Sequence, residues 1–137
     1  MTLLFDSVVR RHMKDTSGFV LYADGAALPV ALTLEGNEKL IGWYRNPAPW
    51  HDSVLLFTTN AIWTFDGNAA ERLPLREIAG YESPQSKESA TGIRIRFRDG
   101  FRFLRAAGAS GPDNKYKDHL AILNILRAIL KSAALPP

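Results

Sequence analysis

The sequence predicts a mainly β domain closed by one long C-terminal helix. Between residues 39 and 105, short runs of strand-forming residues alternate with Gly, Asn, Asp and Pro turns, the signature of antiparallel hairpins. Residues 93–105 alternate apolar and Arg side chains around Asp99-Gly100. From about Asn114 to about Ala133 the period of the apolar residues becomes helical. A few antiparallel strands followed by one such helix describe a small β-structure with one end plugged.

The elements follow in order. In residues 3–13, Leu4/Val8 and Phe5/Val9/Met13 recur at a spacing of four, which predicts one apolar helical stripe. Asp6 stands early and Arg10, Arg11 and Lys14 late, in keeping with the helix dipole. Residues 19–23 read as a strand, and residues 28–34 as its return across Asp24-Gly25, with Pro29 confining that return to an edge. Leu40 to Tyr44 is a strand, and Asn46 to Asp52, with two prolines, a loop. Val54–Thr58 and Ala61–Phe65 flank Thr59-Asn60 as a hairpin. Leu73-Pro74-Leu75 leads into Ile78–Tyr81 through a bend, and Ser83 to Gly92 is a polar loop.

For the last hairpin, a three-residue loop at Arg98-Asp99-Gly100 sets Phe97 opposite Phe101 and Ile95 opposite Phe103, with Gly100 at positive φ. This register puts Phe97, Phe101 and Phe103 on the buried face, because a slip of one residue inverts every side chain. It also sets Arg96 directly against Arg102, with Arg94 and Arg105 nearby. Like charges so placed destabilise a strand pair. Glu77 or Glu82 on a neighbouring strand would relieve them, or an anionic partner would.

In the C-terminal helix, Asp113 suits the N-cap. Lys117, Asn124, Arg127 and Lys131 form a polar edge. Ile122, Leu123, Ile125, Leu126, Ile129 and Leu130, with Tyr116 and Leu120 at one border, span an arc of roughly 200°, about twice that of an ordinary surface helix. The helix is therefore set deeply against the sheet or also touches a partner.

In element order and spacing, residues 36–134 resemble the bacterial pleckstrin-homology-like (PH-like) domains. The residues that carry the resemblance are Gly36 to Arg45 as the opening strand, Val54 to Trp63 as a hairpin with a Thr-containing turn, Leu73 to Tyr81, and Gly92 to Gly100 before the helix. The resemblance implies a bent barrel or sandwich of two near-orthogonal antiparallel sheets, with the helix closing one corner and no shared catalytic residues. It divides the chain into an N-terminal extension, 1–35, and a PH-like domain, 36–137. The basic phosphoinositide motif of the eukaryotic domains is not matched, since Lys39 and Arg45 are the only basic residues of the opening strand.

Composition narrows the chemistry. The chain has 137 residues, 46% of them hydrophobic and 23% charged, and no cysteine. That is the make-up of one globular domain without disulfides, thiol catalysis or Cys-based zinc sites. No apolar run reaches the length of a membrane helix, and no basic leader stands at the start; the expected compartment is cytoplasmic. Trp50-His51-Asp52-Ser53 holds the residue types of a hydrolase triad, but neighbours in one loop cannot converge as a triad must. No His-x-x-x-His or Glu-x-x-His pair offers a metal site, and no cofactor is expected. Gly108-Ala-Ser-Gly111 lacks the Lys of a phosphate-binding loop.

The net charge of +3 is unevenly spread: residues 1–90 carry three net negative charges and residues 91–137 six net positive. The expected function is thus non-catalytic binding or scaffolding. The first expected partner is protein, a second copy included, through Trp50, Ile125 and Ile129. The alternative is an anionic lipid or phosphate on Arg94, Arg96, Arg102 and Arg105. A small-molecule enzyme is a distant third. Nucleic acid is disfavoured, because the phenylalanines of the hairpin are expected inside.

Overall fold

The computed structural model describes residues 5–14, 16, 18–22, 33–34, 36–46, 52–67, 69–82, 92–105 and 117–134. Two antiparallel sheets and two helices make up the domain. The elements in order are α1 (Phe5–Met13), β1 (Phe19–Leu21), β2 (Leu40–Arg45), β3 (Ser53–Thr58), β4 (Ala61–Asp66), β5 (Ala69–Pro74), β6 (Gly80–Glu82), β7 (Gly92–Phe97), β8 (Gly100–Arg105) and α2 (Lys117–Ala134). Strands β1 to β5 form one sheet in sequence order, and β6 to β8 the other. Among the described residues no ladder joins the two sheets, so the arrangement is a sandwich and no barrel closes.

The meander follows from its turns. Thr59-Asn60 joins β3 and β4, with Ala61 N donating to Thr58 Oγ1 at 3.0 Å. A single 3-10 turn, Leu75–Glu77, separates β5 from β6 and carries the chain from one sheet to the other. Residues 69–72 extend β5 beyond the bend expected around Pro74, because they pair with β4 from Asp66↔Ala69 onward. Of the expected return strand 28–34, only Thr33 and Leu34 are described, outside any strand. The described partner of β1 is β2, with Val20 opposite Trp43.

The main core lies between the sheets and the helices. Phe5, Val9 and Met13 of α1 and Ile122, Ile125, Leu126 and Ile129 of α2 share one cluster with Tyr44, Leu55, Phe57, Ile62, Leu73, Ile93, Ile95 and Leu104. The α1 stripe therefore buries as its spacing predicts, in the same core as the strands. All six residues of β3 are buried. Leu55 and Phe57 face the main core, while Val54 and Leu56 join Trp43 and Phe65 in a second cluster on the opposite face. A strand covered on both sides reads as an unbroken apolar run rather than as an alternation.

Depth accounts for most of the wide apolar arc of α2, while Leu120 at its border is 44% exposed. Ile125 is 0% and Ile129 3% exposed. The expectation that these two residues meet a protein partner is corrected: the sheets and α1 already cover them, and neither presents a surface. Trp50 lies outside the described residues.

Candidate binding face

The register of the last hairpin differs by one residue from the expected one, and the difference decides what the surface displays. Phe97 pairs with Gly100, Arg96 with Phe101, Ile95 with Arg102, Arg94 with Phe103 and Ile93 with Leu104. The loop is the two residues Arg98-Asp99, and Gly100 has φ +137°. The positive φ is as expected, but the pairing of Phe97 with Phe101 and of Ile95 with Phe103 is not. Setting Ile93 against Leu104 buries a further apolar pair, and no arginine then stands directly opposite another.

The pleat sorts the arginines accordingly. Arg102 shares the inner face with Ile95 and is not part of the outward ladder. It reaches the rim of the sandwich, where its Nε donates to Glu71 Oε2 of β5 at 2.6 Å and its Nη2 lies 3.5 Å from Asp99 Oδ2. The Glu71 carboxylate raises the Arg102 guanidinium above its ordinary pKa, with Asp99 adding to the effect. The acid that relieves Arg102 is thus Glu71 rather than Glu77 or Glu82.

Arg94, Arg96 and Arg105 remain on the outward face with Phe101 and Phe103. The phenylalanines expected inside are 41% and 51% exposed, while Phe97 is buried. The arginines dress the two outer rings. Arg94 Cζ lies 4.2 Å from the centroid of Phe101 and Arg105 Cζ 4.8 Å from that of Phe103, both within cation–π range. Arg94 Nη1 also stands 3.6 Å from Glu82 Oε2.

Two glycines let side chains lie close against this face. Arg96 lies across Gly80 and donates from Nη2 to Ala79 O at 3.1 Å. A Cβ at Gly80 would fall 2.7 Å from Arg96 Nη2. The ring of Phe103 lies over Gly92, where a Cβ would meet Phe103 Cε2 at 2.6 Å and Leu104 O at 2.8 Å. The sequence reading missed Phe101 and Phe103 as surface residues. Leu104 was the available signal, since only one of the two faces of β8 can hold it together with Ile93.

A second polar cluster, also unforeseen, centres on the buried Glu38. Its carboxylate accepts from Thr58 Oγ1 and from Trp63 Nε1 at 3.1 Å, and Arg72 Nε lies 3.5 Å away. An open groove of about 730 Å³ beside it is lined by Asn37, Thr59, Asn60, Arg72 and Arg76 among others. These bonds serve to satisfy a carboxylate that packing has buried.

Ser53 is buried and donates to Asp66 Oδ1 at 2.8 Å, an orienting bond between β3 and β4. Among the described residues no group of three or more His, Cys, Asp or Glu side chains is placed to hold a metal ion. No helix among them is long and apolar enough to cross a membrane. Comparison with family models, with curated proteins and with solved structures gives no match.

Proposed function

We propose that the chain is a non-catalytic binding module of the PH-like class, and that the outward face of β6, β7 and β8 takes a phosphate-bearing anionic partner. The order of its elements supports the class: residues 36–134 supply two antiparallel sheets and then the closing helix. The observation that carries the function is the grouping of Arg94, Arg96 and Arg105 on one sheet face with two exposed rings and, among the described residues, the single acid Glu82. A guanidinium held over a ring is restrained while its donors suit phosphate or carboxylate oxygens. Self-association through this face is disfavoured, because a two-fold copy lays the same arginines against each other.

The test is the salt needed to elute the protein from immobilised inorganic polyphosphate. Arg94→Ala and Arg96→Ala should each elute at clearly lower salt than the parent. Arg102→Ala and Arg127→Ala remove the same charge off the face and should elute near the parent. Equal shifts for all four variants would mean that net charge alone is being read, and would sink the assignment of the face.

A further inference from the structure

Resting on that reading, we infer that the face binds single-stranded nucleic acid, with successive bases on Phe101 and Phe103 and the phosphates on Arg94, Arg96 and Arg105. Charge complementarity accounts for the phosphates. It does not account for two large rings, 41% and 51% exposed, in the middle of a basic surface. A base has a π-face whatever its identity, and base–ring stacking is what such rings add to a basic groove.

The spacing fits. Phe101 and Phe103 are two apart on one strand and share its outward face, so their Cα atoms stand about 7 Å apart along the strand. That is about twice the rise per nucleotide of a stacked strand. Two neighbouring bases drawn apart from each other can each occupy one ring, as occurs on the open sheets that read single-stranded RNA. A duplex does not suit the site. Its bases are stacked inward, and among the described residues this face is a sheet that presents no helix to a groove.

The dressing of the rings supplies a way in. Arg94 and Arg105 cover Phe101 and Phe103 in the free protein. An exposed cation–π contact is weaker than a base stacked on a ring. The arriving base takes the ring, and the guanidinium moves the short distance to the adjoining phosphate. Arg96, lying over Gly80, and the Phe103 ring, lying over Gly92, keep the platform low enough for a strand to run along it. A membrane is a poorer fit. The rings are flanked by Arg94, Arg105 and Glu82, so sinking them into the acyl layer carries charged groups with them.

The experiment measures binding of the full chain to a fluorescent oligothymidylate by anisotropy, with inorganic polyphosphate of matched charge as competitor. Pelleting with phosphatidylserine vesicles is run in parallel. The parent should bind the oligonucleotide more tightly than polyphosphate. Phe101→Leu and Phe103→Leu should each weaken oligonucleotide binding about tenfold and leave polyphosphate binding unchanged. Over three phosphate contacts, log Kd should rise with log salt with a slope of about two. Thermal melts establish that the variants fold. Phe101→Leu suffices if Phe103→Leu, whose ring rests on Gly92, does not. Equal affinity for both polyanions with no effect of either ring overturns the inference and leaves the anionic-partner reading standing. Vesicle binding that needs the rings, without oligonucleotide binding, overturns it in favour of a membrane. Binding to none of the three at low salt overturns both.

Discussion

The hydroxyl of Tyr44 donates to Asp118 Oδ2 at 2.8 Å, across the buried seam between β2 and α2. Tyr44 is fully buried and Asp118 nearly so, and Asp118 stands in the first turn of α2, where the helix dipole favours a carboxylate. One side chain thus fixes where the C-terminal helix begins relative to the first sheet. Tyr44→Phe removes the donor and leaves the carboxylate buried with one partner fewer. A loss of about 1–3 kcal/mol in urea unfolding is expected. Tyr44→Phe combined with Asp118→Asn should cost less than the two single changes added together, because the residues share one interaction.

The burial of α2 gives a second expectation. Ile125 contacts no solvent, so Ile125→Glu places a carboxylate in the apolar cluster beneath both sheets. Burying an unpaired charge costs far more than the few kcal/mol that hold a small domain together. The variant should lose its cooperative thermal transition by circular dichroism. A folded Ile125→Glu protein whose oligomeric state alone had changed would show that this part of α2 is a surface.

Much of the architecture was legible because periodicity reports burial directly. The stripe Phe5/Val9/Met13, the turn at Thr59-Asn60 and the long apolar helix all appear as the spacing implies. The first half of β5 was not legible. Ala69-Ala70-Glu71-Arg72 has little strand propensity, and pairing with β4 makes it a strand. The hairpin register was hidden for another reason. Ile93, Ile95 and Phe97 face inward in either register, so β7 cannot choose between them. The choice falls to β8, where Phe101 and Phe103 oppose Leu104 in parity. The structure buries Leu104, lets Glu71 hold Arg102 at the rim, and leaves the two rings outside under guanidinium groups. Hydrophobicity alone ranks these alternatives the other way. Glu38 was equally hidden, since nothing local marks a carboxylate that Thr58 and Trp63, some twenty residues away or more, will satisfy.

The turn of the last hairpin depends on Gly100, whose φ of +137° is closed to residues with a side chain. The space around it is open, so Gly100→Val isolates backbone strain from packing. A loss of about 1–3 kcal/mol is expected, read as a lower melting temperature. A variant that melts like the parent would mean that the turn can be made with negative φ at this position.

His12 supplies the pH dependence. It lies in the last turn of α1, part-buried, beside Arg11. Desolvation first, and the Arg11 charge second, lower its pKa below the ordinary 6.5. Both effects disfavour the imidazolium in the folded protein. Well above pH 6.5 the side chain is neutral in the folded and the unfolded chain, and it contributes nothing to the slope of stability against pH. As pH falls below 6.5 the unfolded chain takes up the proton first, so stability declines, and the decline is complete once pH has passed the lowered folded value. His12→Gln keeps a polar side chain at the end of the helix and removes the titration. The difference in unfolding free energy between parent and variant should therefore be flat well above pH 6.5 and should turn against the parent as pH falls through it. Carboxylates that titrate lower down affect both proteins alike and drop out of that difference. A difference that stays level from pH 7.5 to pH 5 would mean that His12 protonates as readily in the folded domain as in the unfolded chain, and that neither burial nor Arg11 bears on it.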